Sequence, residues 1–147
     1  MNMNVAVKTP WHLWVVGGLS LLWNLFPVID FSMTNMQNEF WLSQYNEAQR
    51  AFFLSTPAWA NIGWALGGFG SFIGSLLLLL RSRHALTAYL VSAVGLAVVS
   101  YYQLVQNGER LKQLLGDFPL YTSIAVWVIL LALIFYARAM KARGVLR

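Results

Sequence analysis

The chain has 147 residues, enough for one domain, with a net charge of +5; it is 59% hydrophobic and only 10% charged. A soluble domain carries roughly 25% charged residues, so the composition excludes an ordinary water-facing surface and predicts an all-α membrane protein. The absence of cysteine excludes disulfide scaffolds, thiolate metal sites and thiol–disulfide exchange, and with them the four-helix thiol-oxidising membrane enzymes.

The first apolar stretch covers residues 11–29. It is longer than the apolar core of a secretory leader and ends without a small-x-small cleavage site, so it reads as a retained span. Thr9-Pro10 reads as an N-cap followed by proline at the first helical position. Pro27 sits where it can kink or end the helix near its outer end. Asp30 is the one acid at the end of a span. It is expected to cap a surface helix or pair with Arg50; the alternative is a ligand for a cation or a substrate hydroxyl.

Residues 30–56 are long for a helix connection. Thr34-Asn35-Met36-Gln37 fits a capping box, and Asn46-Glu47-Ala48-Gln49 resembles a second. Met36, Phe40, Tyr45, Ala48 and Phe52 recur at helix-like spacing, which predicts one or two short amphipathic helices at the outer interface. Thr56-Pro57 repeats the opening pattern before a second apolar stretch, residues 58–80. Here Gly63, Gly67, Ser71 and Ser75 recur every four residues, with Gly70 and Gly74 beside them. Small residues let helices approach closely in lipid, so this stripe is a helix-packing interface, toward helices of the same chain or toward a dimer partner.

A short connection at 81–84 makes the second and third spans antiparallel neighbours. The third apolar stretch covers 85–105 and is expected to end at Asn107-Gly108, Asn tolerating positive φ. Glu109–Leu115, with Leu111, Leu114 and Leu115 on one side, predicts another short surface helix stopped by Gly116. Asp117 is placed to cap the fourth span, 118–136. Each span has close to the ~20 residues needed to cross a ~30 Å core, and none contains Lys, Arg, Asp or Glu. In lipid the backbone must satisfy its own hydrogen bonds, so all four are helices of one integral membrane domain, residues 1–147.

Lys8, Arg81, Arg83, Arg138, Lys141, Arg143 and Arg147 flank the inner ends, with no acid among them. Arg50, Arg110 and Lys112 share the outer segments with all five acids: Asp30, Glu39, Glu47, Glu109 and Asp117. Seven bases against three predicts both termini in the cytoplasm. The positive charge is thereby read as a topology signal and not as a nucleic-acid footprint.

Within the spans Asn24, Asn61 and Gln103 are the deeper polar residues. With Asp30 they form a candidate polar path for a small neutral solute; the alternative is hydrogen bonding between helices. No buried acid is present to couple transport to protons. The membrane glutamate found in the first helix of small multidrug exporters is missing too. His12 and His84 lie near the inner interface, too shallow and too isolated for a haem pair. Trp11, Trp14, Trp41 and Trp59 fit interfacial belts. Trp23, Trp64 and Trp127 are expected inside the bundle, or lining a pocket for a sugar ring, quinone or pigment.

Several strings are similar to those of a family of small bacterial four-span inner-membrane proteins. They are Trp23-Asn24 with Asp30 and Met33-Thr34; Pro57-x-Trp59; Gly70-x-x-x-Gly74-Ser75 running through leucines to Arg81-Ser82-Arg83; and Tyr136-Ala137-Arg138-Ala139-Met140. The resemblance implies a four-helix fold in the bacterial inner membrane. Such proteins often carry a sugar-transporter label, but the Pro-Gln pair of three-helix sugar carriers is absent here, since Val28 follows Pro27. No nucleophile–base pair or metal cluster can be assembled. The expectation is a non-enzymatic, cofactor-free accessory or self-associating subunit, as a homo-oligomer or within a larger membrane complex. A solute facilitator is the first alternative and a pigment- or quinone-binding subunit the second.

Overall fold

The computed structural model describes residues 6–147, which form helices and no strand. Four helices are long and apolar enough to cross a membrane: α1 (Trp11–Asn35), α4 (Ala58–Leu79), α5 (His84–Ser100) with its continuation to Gln106, and α7 (Phe118–Ala142). Three short helices, α2 (Glu39–Leu42), α3 (Glu47–Leu54) and α6 (Gly108–Leu115), cover the end of the bundle that holds the acidic residues. The chain is thus a polytopic all-α membrane protein.

Two spans, α1 and α7, run well beyond their apolar stretches, and each extension buries something, whereas α4 matches its stretch to within a residue. α1 passes through Pro27 without ending and continues past Asp30 to Asn35. The added turns set Phe31 edge-on against Trp64 and Phe69 of α4, at ring separations of 5.4 and 5.9 Å, and bury Thr34. Pro27 lies beside Gly68 of α4, where a Cβ would stand 3.5 Å from Pro27, an ordinary contact. α7 runs on to Ala142, burying Ala137 and Met140. The third span keeps α-helical form only to Ser100 and then widens into a π-helix, Tyr101–Gln106. The wider turn closes on Asn107, whose backbone N–H and side-chain Nδ2 both donate to the Tyr102 carbonyl, at 3.1 and 2.9 Å. Asn107 therefore ends the span without positive φ, at −123°.

Several expected caps are replaced. Pro10 and Pro57 themselves occupy the N-cap positions, and neither helix start has a side-chain cap. Thr56 instead donates back to the Phe53 carbonyl, and Asp117 pairs with Lys112 at 3.5 Å. The Thr34–Gln37 capping box does not form, because α1 runs through Thr34 and Asn35 and Gln37 turns into the left-handed region at φ 55°. That turn also breaks the expected apolar face: Met36 and Phe40 are among the most exposed side chains, while Leu42 and Phe52 go inward. The second box forms as expected, Asn46 accepting from Gln49 N–H and Gln49 from Asn46 N–H. Leu111, Leu114 and Leu115 of α6 join Phe52, Ala60 and Tyr102 in one apolar cluster at the acidic end.

α4 is the centre of the bundle, packed against α5 on one side and α1 on the other; α7 lies against α5. The closest approach is at Gly95, where a Cβ would stand 2.6 Å from the Gly63 carbonyl oxygen and from the Gly67 nitrogen. Both obstacles are backbone and cannot rotate away. We therefore expect Gly95→Ala to force α4 and α5 apart and to cost roughly 1–3 kcal/mol, the range for overpacking. Gly18→Ala, which meets nothing within 4 Å, serves as the control. Unfolding titrations in mild detergent should show a large loss for the first variant and essentially none for the second.

Candidate functional site

The small-residue stripe of α4 is used within the chain. A Cβ at Gly63 would meet Val98 and the Gly95 carbonyl; at Gly67, the Leu96 backbone; at Gly70, Ser92; at Gly74, the Tyr89 ring. These four positions face α5. Ser71 and Ser75 are buried toward α1, where Asn24 Nδ2 donates to the Ser71 carbonyl at 3.3 Å and to Ser75 Oγ at 3.0 Å. Ser75 Oγ also shares a 2.8 Å hydrogen bond with the Tyr89 hydroxyl, and Ser92 Oγ donates to the Gly67 carbonyl at 2.7 Å. One buried polar cluster therefore ties α1, α4 and α5 together at mid-bundle. Among the described residues every buried side-chain nitrogen and oxygen has a partner.

No hydrogen bond joins the four residues of the candidate polar path to one another. Asn24 belongs to the central cluster. Asn61 lies toward the acidic end, donating to Asn35 Oδ1 at 2.7 Å. Asp30 accepts from the Trp41 indole at 2.9 Å, and Arg50 pairs with Glu39 instead. Gln103 sits half-buried on the π-helical segment. Trp41 also stands against Phe26, with ring centroids 6.0 Å apart. Tyr45, nearby, has its phenol held above the usual range by burial and then by the Asp30 carboxylate. Asp30 thus anchors α2 to α1, as part of an aromatic seam under the short helices at the acidic end.

Of the deeper tryptophans, Trp127 donates to Ser100 Oγ at 3.1 Å and so joins α7 to α5. Trp64 packs on Phe31. Trp23 turns outward and is substantially exposed. At the opposite end His12 Nδ1 meets the Tyr136 hydroxyl at 2.5 Å, linking α1 to α7.

Sequence reasoning overlooked Tyr89, Ser92 and Ser100. Each was visible as a polar side chain in an otherwise apolar span, but only their partners show what they do. It also overlooked Ala125, Ala132 and Ala139, seven residues apart on exposed surface of α7. Comparison with family models, curated proteins and solved structures found no match.

If the central cluster works as a unit, Asn24→Ala and Tyr89→Phe should be non-additive, because both act through Ser75. We expect each single change to cost about 0.5–2 kcal/mol and the double-mutant cycle to return a coupling of about 0.5–1 kcal/mol. Additive costs in detergent unfolding would show that Ser75 does not transmit between them.

Proposed function

We propose that this protein is a non-enzymatic subunit that works by helix–helix association in the bacterial inner membrane, either with itself or within a larger assembly. The observation that carries the reading is the sparse packing of α7. This helix is the least buried of the four spans, and residues 118–129, its outer half, include no buried side chain. Its main contacts are with α5 and α6, with the His12–Tyr136 hydrogen bond to α1 near its other end, so most of its circumference is uncovered. Ala125, Ala132 and Ala139 make a small-residue seam with heptad spacing on exposed surface. Such a seam suits close left-handed pairing with another helix. The closed central cluster favours the same reading, since its polar groups are spent on each other and leave no lining for a solute. Seven basic residues at one end and all five acids at the other support cytoplasmic termini.

The cysteine-free chain allows clean tests. Ala132→Cys should crosslink under mild oxidation in native membranes, while Val94→Cys, exposed on α5, should not. A single copy held by a different protein should appear as a stoichiometric companion in native mass spectrometry. A strictly monomeric protein with no crosslink and no companion overturns the proposal. For orientation, a membrane-impermeant maleimide applied to intact cells should label Ser43→Cys and spare Ala142→Cys; the reverse pattern would invert the topology.

A further inference from the structure

The helix ends opposite the short helices gather charge of one sign. Val7 lies against Gly144, with 3.5 Å between Val7 Cγ2 and the position of a Cβ there, and Gly17 sits under Leu79. The start of α1, the α4–α5 turn and the end of α7 are therefore one surface. It carries seven of the ten Lys and Arg residues and none of the five acids. Both ion pairs among the described residues, Arg50–Glu39 and Lys112–Asp117, are at the other end. Part of this basic face is built rigidly. Arg83 N–H donates to the Arg147 carbonyl at 3.0 Å, and Arg147 N–H donates to the Arg81 carbonyl at 2.9 Å. Val145 and Leu146 are buried just before, which pins the segment to the bundle. Arg81 itself takes φ 56°, after a helix end closed by Ser82 N–H on the Leu77 carbonyl. Backbone hydrogen bonds thus bring three guanidinium-bearing residues together although their charges repel.

We propose that Arg81, Arg83 and Arg147 form a binding site for the phosphate of an anionic phospholipid headgroup. Guanidinium groups match phosphate oxygens with paired hydrogen bonds. No Asp or Glu side chain stands on that face and no ion pair forms there among the described residues, so the guanidinium groups are open to a phosphate. Leu80, largely exposed beside Arg81, supplies apolar surface where an acyl chain would descend. The site lies where basic clusters meet the anionic lipid of a membrane surface. It does not depend on association through α7.

The test compares lipid retention by the purified full chain in native mass spectrometry, after exposure to equal amounts of phosphatidylglycerol and phosphatidylcholine. The protein should retain phosphatidylglycerol preferentially. Arg81→Gln/Arg83→Gln/Arg147→Gln should lose about tenfold in that preference while keeping its fold, because the pairing uses backbone atoms only. Arg110→Gln/Lys112→Gln, at the other end, should keep the preference. Millimolar inorganic phosphate should leave the bound lipid in place. Equal retention of the two lipids, an unchanged triple variant, or displacement by inorganic phosphate alone would overturn the site. Folding of the triple variant is checked by its unfolding midpoint, and if it is destabilised the single variant Arg83→Gln is used instead.

Discussion

Backbone contact between α4 and α5 around Gly95 governs the arrangement of the bundle. In lipid, burying an apolar side chain between helices gains little over leaving it among acyl chains, so association depends on dispersion at close range and on hydrogen bonds. At Gly63, Gly67, Gly70 and Gly74 the α4 backbone comes within reach of Gly95, Leu96, Ser92 and Tyr89. This approach puts Tyr89 level with Ser75, and Ser75 is then available to Asn24 on α1. The glycine contact and the polar cluster are two consequences of one geometry, which makes α1, α4 and α5 a tight unit with α4 at its centre.

The tight unit changes the meaning of the polar residues. Asn24, Ser75 and Tyr89 in a membrane interior could line a passage, but here each is satisfied by another. A buried polar network of this kind specifies which helices meet and in what register. Asp30 is settled in a similar way: an acid at the end of an apolar run accepts an indole N–H and holds α2 against α1. Helix α7 stands apart from this economy of contacts. It is tied to α5 by Trp127–Ser100, to α1 by His12–Tyr136, and by an apolar cluster around Leu130, Leu133, Ala137 and Met140 at the basic end. Toward the acidic end its surface is open to lipid or to another helix.

The two ends of the bundle also differ in how charge is handled. At the acidic end, bases and acids are mixed and ion pairs form at 3.3 and 3.5 Å, with exposed partners that contribute little to stability. At the basic end there is no acidic side chain, and the chain nevertheless orders Arg81, Arg83 and Arg147 through backbone hydrogen bonds. An arrangement of this kind is stable at a lipid surface, where phosphate is abundant.

Much of this protein is legible in its amino-acid sequence. Four apolar runs of membrane-spanning length determine four helices, because lipid offers the backbone no other hydrogen-bond partners. The capping box at Asn46 and the leucine face of α6 were readable because they depend on neighbours within one turn. What failed were signals that compete with tertiary contacts. The Thr34–Gln37 box gave way to packing of Phe31 on α4 and burial of Thr34, Pro27 was carried inside a helix that continues to Asn35, and the turn at Gln37 moved Met36 and Phe40 outward. The small-residue stripe was visible as a stripe, but which helix fills it depends on where α1 and α5 stand, and spacing along one helix carries no record of its neighbours. Only the tertiary structure decided that Gly67 meets α5, that Ser71 meets α1, and that α7 is left largely uncovered, since packing in lipid is settled by shape between surfaces distant in the chain.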